Sequence, residues 1–152
     1  MLTIKQFQFY RVYTLIHLKH IDEKKWDAQP DGFSNTIRWN AGHLYVTAEG
    51  LLHRADTGYE MKKPEWAAFF SPGTRPAEWK EEPPASTDII ASLEEQSGRI
   101  ASFFEGKLNN PASEPLVIQG HSMDSGEAIL QFVSWHEGIH TGMIKSLDKI
   151  IR

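Results

Sequence analysis

The sequence predicts an all-α protein, a four-helix bundle with a long irregular connection between the second and third helices. Four segments carry apolar residues at helical spacing, no segment shows a convincing strand pattern, and no stretch is repeated. Four amphipathic helices pack most simply as a bundle, which can hold a metal site between facing helices. The length of 152 residues suits one core, so residues 1–152 are expected to form a single domain.

The first helix is expected to run from residue 3 to about residue 21, with Thr3 as its N-cap. Spacings of three and four place its inward face at Phe7, Tyr10, Tyr13 or Thr14, Ile16 or His17, and His20. His17 and His20 lie near the end of this helix, where cations suit the negative end of the helix dipole. We therefore assign these two histidines to the helix end rather than to a metal site.

The second helix is expected to begin at Ser34 or Asn35, both good N-caps, and to end near Ala55. Its inward face would carry Thr36, Trp39, Asn40, His43, Val46, Thr47 and Gly50. His43 thus lies in the middle of the helix, with an aromatic ring and an amide one turn earlier. His53 falls on a different face and is expected at the surface or at an edge.

The connection over residues 57–85 is the least regular part of the chain, because five prolines interrupt it. Residues 64–70 could form one short helix within it. Its aromatic side chains would be costly to leave in water, at about 25 cal/mol per Å² of apolar surface. We expect this connection to pack over one end of the bundle as an aromatic-anchored crossover, and a lid over a pocket is the alternative.

The third helix is expected to begin at Ser86 or Thr87 and to end before Gly106, and it contains no histidine. Residues 109–125 then form a loop in which residues 116–118 are briefly extended. His121 belongs to this loop. It could reach one end of the bundle, but it is not assigned as a metal ligand.

The fourth helix, over about residues 125–151, carries the feature that bears most on function. One of its faces holds Ile129, Phe132, Val133, His136, His140, Met143, Ile144 and Leu147. This face is apolar except for two histidines one turn apart, and residues at that spacing are neighbours on a helix surface. Imidazole is the commonest protein metal ligand, so the pair indicates a metal site. The alternative is two core histidines, each hydrogen-bonded to a neighbour.

The phrases Trp39-Asn40-x-x-His43 and His136-x-x-x-His140 together resemble the signature stretches of the DinB-like (DinB/YfiT) superfamily. The resemblance covers essentially the whole chain in length, helix order and position of the histidines. It implies a four-helix bundle that binds a divalent metal through His43, His136 and His140. It also implies kinship with transferases and isomerases that use low-molecular-weight thiols such as bacillithiol or mycothiol, and with proteins known to form dimers.

Three neutral imidazoles leave the charge of a metal uncancelled and at least one coordination position open, which suits water, hydroxide or a thiolate. Such a metal lowers the pKa of that ligand and generates a nucleophile near neutral pH. Zinc and nickel both fit nitrogen ligands and are the expected ions. Asn40 and Glu137 are candidates for supporting the ligands, although Glu137 points about 100° away from His136 around the helix. Glu137 is therefore expected at the edge or surface of the bundle.

A rival pattern overlaps the same residues, because His136-Glu137-x-x-His140 also matches the zinc-metalloprotease motif. In that motif the glutamate acts as general base, and a third ligand commonly follows downstream. After the motif the chain offers no further histidine, and Asp148 is its one carboxylate side chain. The sequence also shows no strand to hold a peptide substrate, so we do not favour this interpretation.

Composition restricts the remaining functions. The net charge of -4 argues against a nucleic-acid-binding surface, and the absence of cysteine excludes thiolate metal sites. No apolar run reaches the length of a membrane span and no signal-peptide pattern is present, so a cytoplasmic protein without membrane contact is expected. The five tryptophans and the 11% aromatic content, together with the resemblance, suggest a homodimer.

Three functional hypotheses follow from these features. The first is a metal-dependent enzyme acting on a small molecule, as a thiol S-transferase or hydrolase-type enzyme. The second is a non-catalytic or stress-related protein whose metal ties the second helix to the fourth. The third is a metal-free helical interaction module in which the histidines belong to the core.

Overall fold

The computed structural model describes residues 1–152, and the protein is mostly helical. In chain order its elements are α1 (Leu2–Lys19), α2 (Ile37–Ala55), α3 (Ala67–Phe70), α4 (Ser86–Phe104), β1 (Pro111–Ile118), β2 (His121–Ser125) and α5 (Gly126–Ile150). Three short 3-10 turns, Glu23–Lys25, Pro64–Trp66 and Pro76–Glu78, interrupt the connections. None of these helices has the length and apolar character needed to cross a membrane.

The all-α expectation is correct for most of the chain, and the exception is an antiparallel hairpin formed by β1 and β2. The hairpin turns at Gln119 and Gly120, whose φ angles are 49° and 81°. Two successive residues with positive φ are typical of the tight turns that join hairpin strands. Two prolines and the lack of regular apolar alternation in β1 conceal most of this strand in the sequence, so the region was expected to be a loop. Only its residues 116–118 were expected to be extended, and these pair with β2.

The helices begin within about two residues of the expected positions, and their capping residues differ in part. Thr36 caps α2, because its side-chain oxygen accepts a hydrogen bond from the backbone N–H of Trp39 at 3.1 Å. Ser125 caps α5 in the same way through the N–H of Ala128. Thr3 is not a cap: it lies inside α1, and its hydroxyl donates to Glu127 at 2.9 Å.

Helix α1 buries a face that only partly agrees with the expected one. Its buried residues are Ile4, Phe7, Arg11, Thr14, Leu15 and Leu18. Phe7 and Thr14 were among the residues expected inside and are buried. Tyr10 was also expected inside, as were Tyr13 and Ile16 as alternatives to Thr14 and His17, but these three are 39%, 47% and 56% exposed. Because α1 carries apolar residues around most of its circumference, periodicity alone could not identify the face that meets the core.

The core consists of two apolar clusters that a buried polar layer separates along each long helix. The first cluster includes Leu18, Leu44, Phe70, Leu93 and Ile144, and the second includes Phe7, Leu52, Ile100, Phe104 and Leu130. On every long helix a buried polar residue lies between members of the two clusters: Arg11 on α1, Glu49 on α2, Gln96 on α4 and Glu137 on α5.

Hydrogen bonds join these four side chains into one network. Arg11 binds Glu137 through two bonds of 2.8 and 3.1 Å and donates to Gln96 at 2.9 Å. Gln96 in turn donates to Glu49 at 2.8 Å, and Arg99 pairs with the same carboxylate at 2.9 Å. The two carboxylates are therefore balanced by two guanidinium groups, as buried charges require.

The connection over residues 57–85 packs against the helices, as its aromatic residues predict. Trp66 and Phe70 are buried in the first cluster, and Trp79 packs against that cluster from the side. The indole N–H of Trp79 donates to the carbonyl of Phe69 at 3.0 Å. This connection therefore lies against α2, where it also reaches the histidines described below.

Candidate metal centre

The three histidines singled out in the sequence come together where α2 faces α5. The Nε2 atoms of His43 and His136 are 3.1 Å apart. The ring of His140 lies 4.6 Å from that of His43 and 4.4 Å from that of His136, centroid to centroid. One nitrogen from each ring can be chosen so that all three lie within 4.8 Å of one another. Two helices thus bring three imidazoles to one point.

The remaining histidines lie apart from this cluster, as the sequence predicts. His17 and His20 are near the end of α1, and His20 Nδ1 contacts the carbonyl of Ile16. His53 is half-buried and contacts the carbonyl of Tyr59 through Nδ1 at 2.9 Å. His121 is exposed at the start of β2.

His43 is oriented by the connection that follows α2. Its Nδ1 lies 2.7 Å from the carbonyl oxygen of Phe70, and since a carbonyl can only accept, Nδ1–H donates. The neutral ring then carries its free lone pair on Nε2, the atom that faces His136. Thr47, one turn further along α2, places its hydroxyl 3.3 Å from the same Nε2.

His140 is oriented by Asn40, whose side chain is itself held by the backbone at the start of α2. The side-chain amide of Asn40 donates through Nδ2 to the carbonyl of Thr36 at 2.8 Å. This bond turns Oδ1 of Asn40 toward His140 Nδ1, which donates to it at 2.8 Å. The lone pair of His140 is thereby left on Nε2. Asn40 thus supports a ligand candidate, as the sequence suggested.

Trp39 and Gly42, both on α2, determine what packs beside His43. Trp39 stacks on His43 with ring centroids 4.4 Å apart, and its indole N–H donates to Thr74 at 2.8 Å. At Gly42 an added Cβ would lie 2.5 Å from the ring of Phe70. Glycine at this position therefore allows the close approach that brings the Phe70 carbonyl to His43.

All three rings are held neutral by their surroundings. Burial, followed by repulsion from His140 and His43, lowers the pKa of His136 to about 3. Burial, followed by repulsion from His43, lowers the pKa of His140 to about 4, and burial also lowers the pKa of His43. Neutral imidazoles keep their lone pairs available, so the donor set fits a divalent ion that prefers nitrogen ligands.

Glu137 is not at the edge or surface, where the sequence analysis expected it. It is 1% exposed and lies in the middle of the buried strip of α5, beside Leu130, Val133, Thr141 and Ile144. His136 and His140 form one edge of that strip, and Met143, also expected inside, is 41% exposed. The buried face shares Ile129, Val133, Ile144 and Leu147 with the expected one and is rotated from it by about 60°, roughly half the 100° step between successive residues.

Arg11, the partner of Glu137, was not recognised in the sequence. Its spacing relative to Phe7, Thr14 and Leu18 is the one signal that places it on a buried face. The only hydrogen-bond contact of His136 is that of its Nε2 with His43, so no group outside the three histidines orients its ring by a hydrogen bond. The next residue, Glu137, is bound by Arg11 of α1, so the ion pair directly follows this ligand candidate in the sequence.

Comparison with protein-family models matches residues 6–144 to the model described as the DinB superfamily. The matched range includes all three histidines as well as Trp39 and Asn40. No match was found among curated proteins. The family model and the geometry thus bear on the same residues, because the matched segment spans both helices that carry the cluster.

Proposed function

The chain belongs to the DinB superfamily, and from this membership together with the three converging histidines we propose that it is a metal-dependent enzyme. It binds one divalent ion, zinc or nickel, through His43, His136 and His140. It acts on a small molecule and uses a low-molecular-weight thiol in an S-transferase or hydrolase-type reaction. The observation that carries the proposal is the convergence of three neutral imidazoles on one point, with no carboxylate among them.

The residues around the site have distinct tasks in this proposal. Asn40 and the carbonyl of Phe70 fix two of the imidazoles, so the donor atoms are in place before an ion arrives. Trp39 covers one face of His43 and excludes water from that side. A divalent ion on neutral ligands keeps its full charge and an open position, and so lowers the pKa of a bound water or thiol. The hydroxyl of Thr47, 3.3 Å from His43 Nε2, is a polar group that can position a substrate beside the ligands.

A structural role for the metal is the second candidate. It is favoured by the absence of a carboxylate or further titratable group among the hydrogen-bond partners of the three histidines. In this case the ion would tie α2 to α5 without chemistry. The metalloprotease interpretation lacks support, because Glu137, its general base, is buried and paired with Arg11.

The decisive experiment combines metal removal with a screen for turnover. Protein purified without a polyhistidine tag or a nickel column is analysed for bound ions, then assayed with several thiols and model electrophiles before and after chelation. The enzyme proposal predicts thiol-dependent turnover that disappears on chelation and returns with zinc or nickel. A structural metal predicts a large fall in the melting temperature on chelation and no turnover with any thiol.

A further inference from the structure

The candidate metal centre is open to solvent on one side. His43 is buried, whereas His136 and His140 are only partly buried. A small molecule can therefore approach the three imidazoles from the side on which the two rings of α5 are exposed. The side chains around this opening decide which molecules can bind there.

Helical spacing identifies the residues around the opening. Residues three, four or seven positions from a ligand candidate share its side of the helix. Apart from the ligand candidates themselves, six residues at these spacings from His43 or His136 are at least partly exposed. We call them the rim: Val46, Thr47 and Gly50 on α2, and Phe132, Ile139 and Met143 on α5.

The rim is almost entirely apolar. Five of its six residues carry no hydrogen-bonding atom in the side chain, and Ile139 and Met143 are 46% and 41% exposed. At Gly50 an added Cβ would meet no atom within 4 Å, so the α2 side of the rim leaves room for a ligand. Small-molecule sites are typically built in this way, from apolar walls and a few polar groups that fix orientation.

No free charge lies on the stretches of helix that carry the rim. Residues 39–53 of α2 include one Lys, Arg, Asp or Glu, namely Glu49, and residues 128–144 of α5 include only Glu137. Both are buried, and each is bound by an arginine. The two helices therefore offer no partner to a charged group of a ligand at this opening.

The next charged residues along the two helices are also engaged elsewhere. Each of them contacts a residue outside α2 and α5: Arg38 contacts Asp27, Arg54 contacts Glu114, Glu127 contacts Thr3, and Lys145 contacts Tyr13.

Thr47 supplies the one hydroxyl of the rim. Its Oγ1 lies 3.3 Å from His43 Nε2 and 3.5 Å from His43 Nδ1, and it has no other hydrogen-bond partner. Because Nδ1–H donates to the carbonyl of Phe70, Nε2 is the atom that accepts from this hydroxyl. An ion on Nε2 would occupy the same lone pair, and the hydroxyl of Thr47 would then be free to donate to a ligand of the ion.

We propose that the substrate at this centre is an uncharged molecule with an apolar alkyl or aryl body, an inference that rests on the proposed function and names its substrate class. One atom of the molecule binds the ion and accepts a hydrogen bond from Thr47, and the apolar body covers the rim. A charged group at the same place would lose water without gaining a partner, which is unfavourable.

The test compares two thiol probes on cobalt-loaded protein. 1-Butanethiol and 3-mercapto-1-propanesulfonate both bind cobalt through sulfur, and they differ in an apolar against an anionic end. A sulfonate is chosen because it coordinates metals weakly. Titration followed by the visible absorption of cobalt gives the two dissociation constants. We expect 1-butanethiol to bind about tenfold tighter or more, the effect of burying about two methylene groups.

A charge placed on the rim should reverse this preference. Met143→Lys adds a cation three residues from His140, so it should weaken binding of 1-butanethiol and strengthen binding of the sulfonate. The matched control is Ile150→Lys, also on α5, at a position that is 52% exposed and about 15 Å along the helix from His140. It should keep the wild-type preference. Thr47→Val, which removes the hydroxyl and keeps the shape, should weaken both probes by a similar factor.

The outcomes separate this inference from the proposed function. Wild-type protein that does not bind cobalt would overturn the metal centre and this inference with it. Cobalt-loaded wild type that binds the sulfonate as tightly as 1-butanethiol, or more tightly, would overturn this inference alone. That result would implicate a cation from another element, such as the exposed Arg75 of the connection. Equal changes in Met143→Lys and Ile150→Lys would also overturn it, because the rim would then not contact the probes.

Discussion

Glu137 and Arg11 form a two-bond ion pair inside the protein, although Glu137 directly follows a candidate metal ligand in the sequence. Both side chains are almost fully inaccessible to solvent. The pair joins α5 to α1, and Arg11 extends the connection to α4 through Gln96 and the carbonyl of Leu93. The pair therefore ties the buried side of α5 to α1 and α4, and the preceding residue, His136, faces His43 on α2.

Removing the negative charge of this pair is expected to be costly. Glu137→Gln leaves the guanidinium of Arg11 buried without its counter-ion, which should lower the free energy of unfolding by about 3–5 kcal/mol. Urea unfolding monitored by circular dichroism measures the change. Glu94→Gln serves as control, because its pair with Lys19 is exposed and should contribute about 1 kcal/mol or less. Equal effects of the two variants would contradict this role for the buried pair.

Two glycines of α2 should respond to alanine in opposite directions. Gly42→Ala places a methyl group against the ring of Phe70, and overpacking of this kind costs about 1–3 kcal/mol. Gly50→Ala meets no atom within 4 Å, and alanine there should stabilise the helix by up to about 1 kcal/mol. Melting temperatures of the two variants give the comparison. A stable Gly42→Ala protein with unchanged metal affinity would show that the Phe70 contact is dispensable.

The hydrogen bond from His140 to Asn40 predicts an effect of Asn40 on metal affinity. Asn40→Ala removes the acceptor that orients His140, and loss of such a partner typically weakens metal binding about 10–100-fold. Competition with a chromogenic chelator measures the affinity for zinc. Asn109→Ala, an exposed asparagine outside the site, is the control and should bind as the wild type does. An unchanged affinity in Asn40→Ala would mean that the orientation of His140 comes from packing alone.

The identity of the ligands is tested by replacing histidines one at a time. His43→Ala, His136→Ala and His140→Ala should each lose most of the bound metal, because two remaining imidazoles make a poor site. His53→Ala and His17→Ala should keep it. Elemental analysis of each purified variant gives the metal content per chain. Full occupancy in His43→Ala, together with loss in His53→Ala or His121→Ala, would identify a different third ligand.

Acid should destabilise the metal-free protein through the same histidines. In the unfolded chain a histidine has a pKa of about 6.5, whereas the pKa of His136 is about 3 and that of His140 about 4 in the fold. As pH falls below about 6.5 the unfolded state binds protons that the folded state does not, so the free energy of unfolding decreases toward about pH 4. Above about pH 6.5 this effect is absent.

Urea unfolding of chelated protein over this pH range measures the slope. The variant His136→Gln/His140→Gln lacks both titrating rings and should show a smaller decrease, while an identical slope would contradict the assignment. With metal bound, protons must compete with the ion for the same imidazole nitrogens. Because the pKa values of these rings are lowered, we expect acid to release the metal well below about pH 6, where free imidazoles already become protonated.

Local spacing is what the sequence by itself determined. His136 and His140 are one helical turn apart, so the helical period already places them side by side, and the family resemblance is what joined His43 to them as a proposed ligand. Asn40 precedes His43 by three residues, so the helical period also places these two on the same side of α2. The aromatic residues of the connection also predict its packing, because their apolar area must be removed from water.

The tertiary structure alone decided which helix faces meet. Helix α1 is apolar on opposite sides, so only its neighbours select the side with Phe7 and Arg11 for the core. Glu137 could be placed inside only once a buried guanidinium was available to pair with it. Burial of a charge or of one of two apolar faces depends on contacts between residues distant in the chain, and the local helical period carries no information about them.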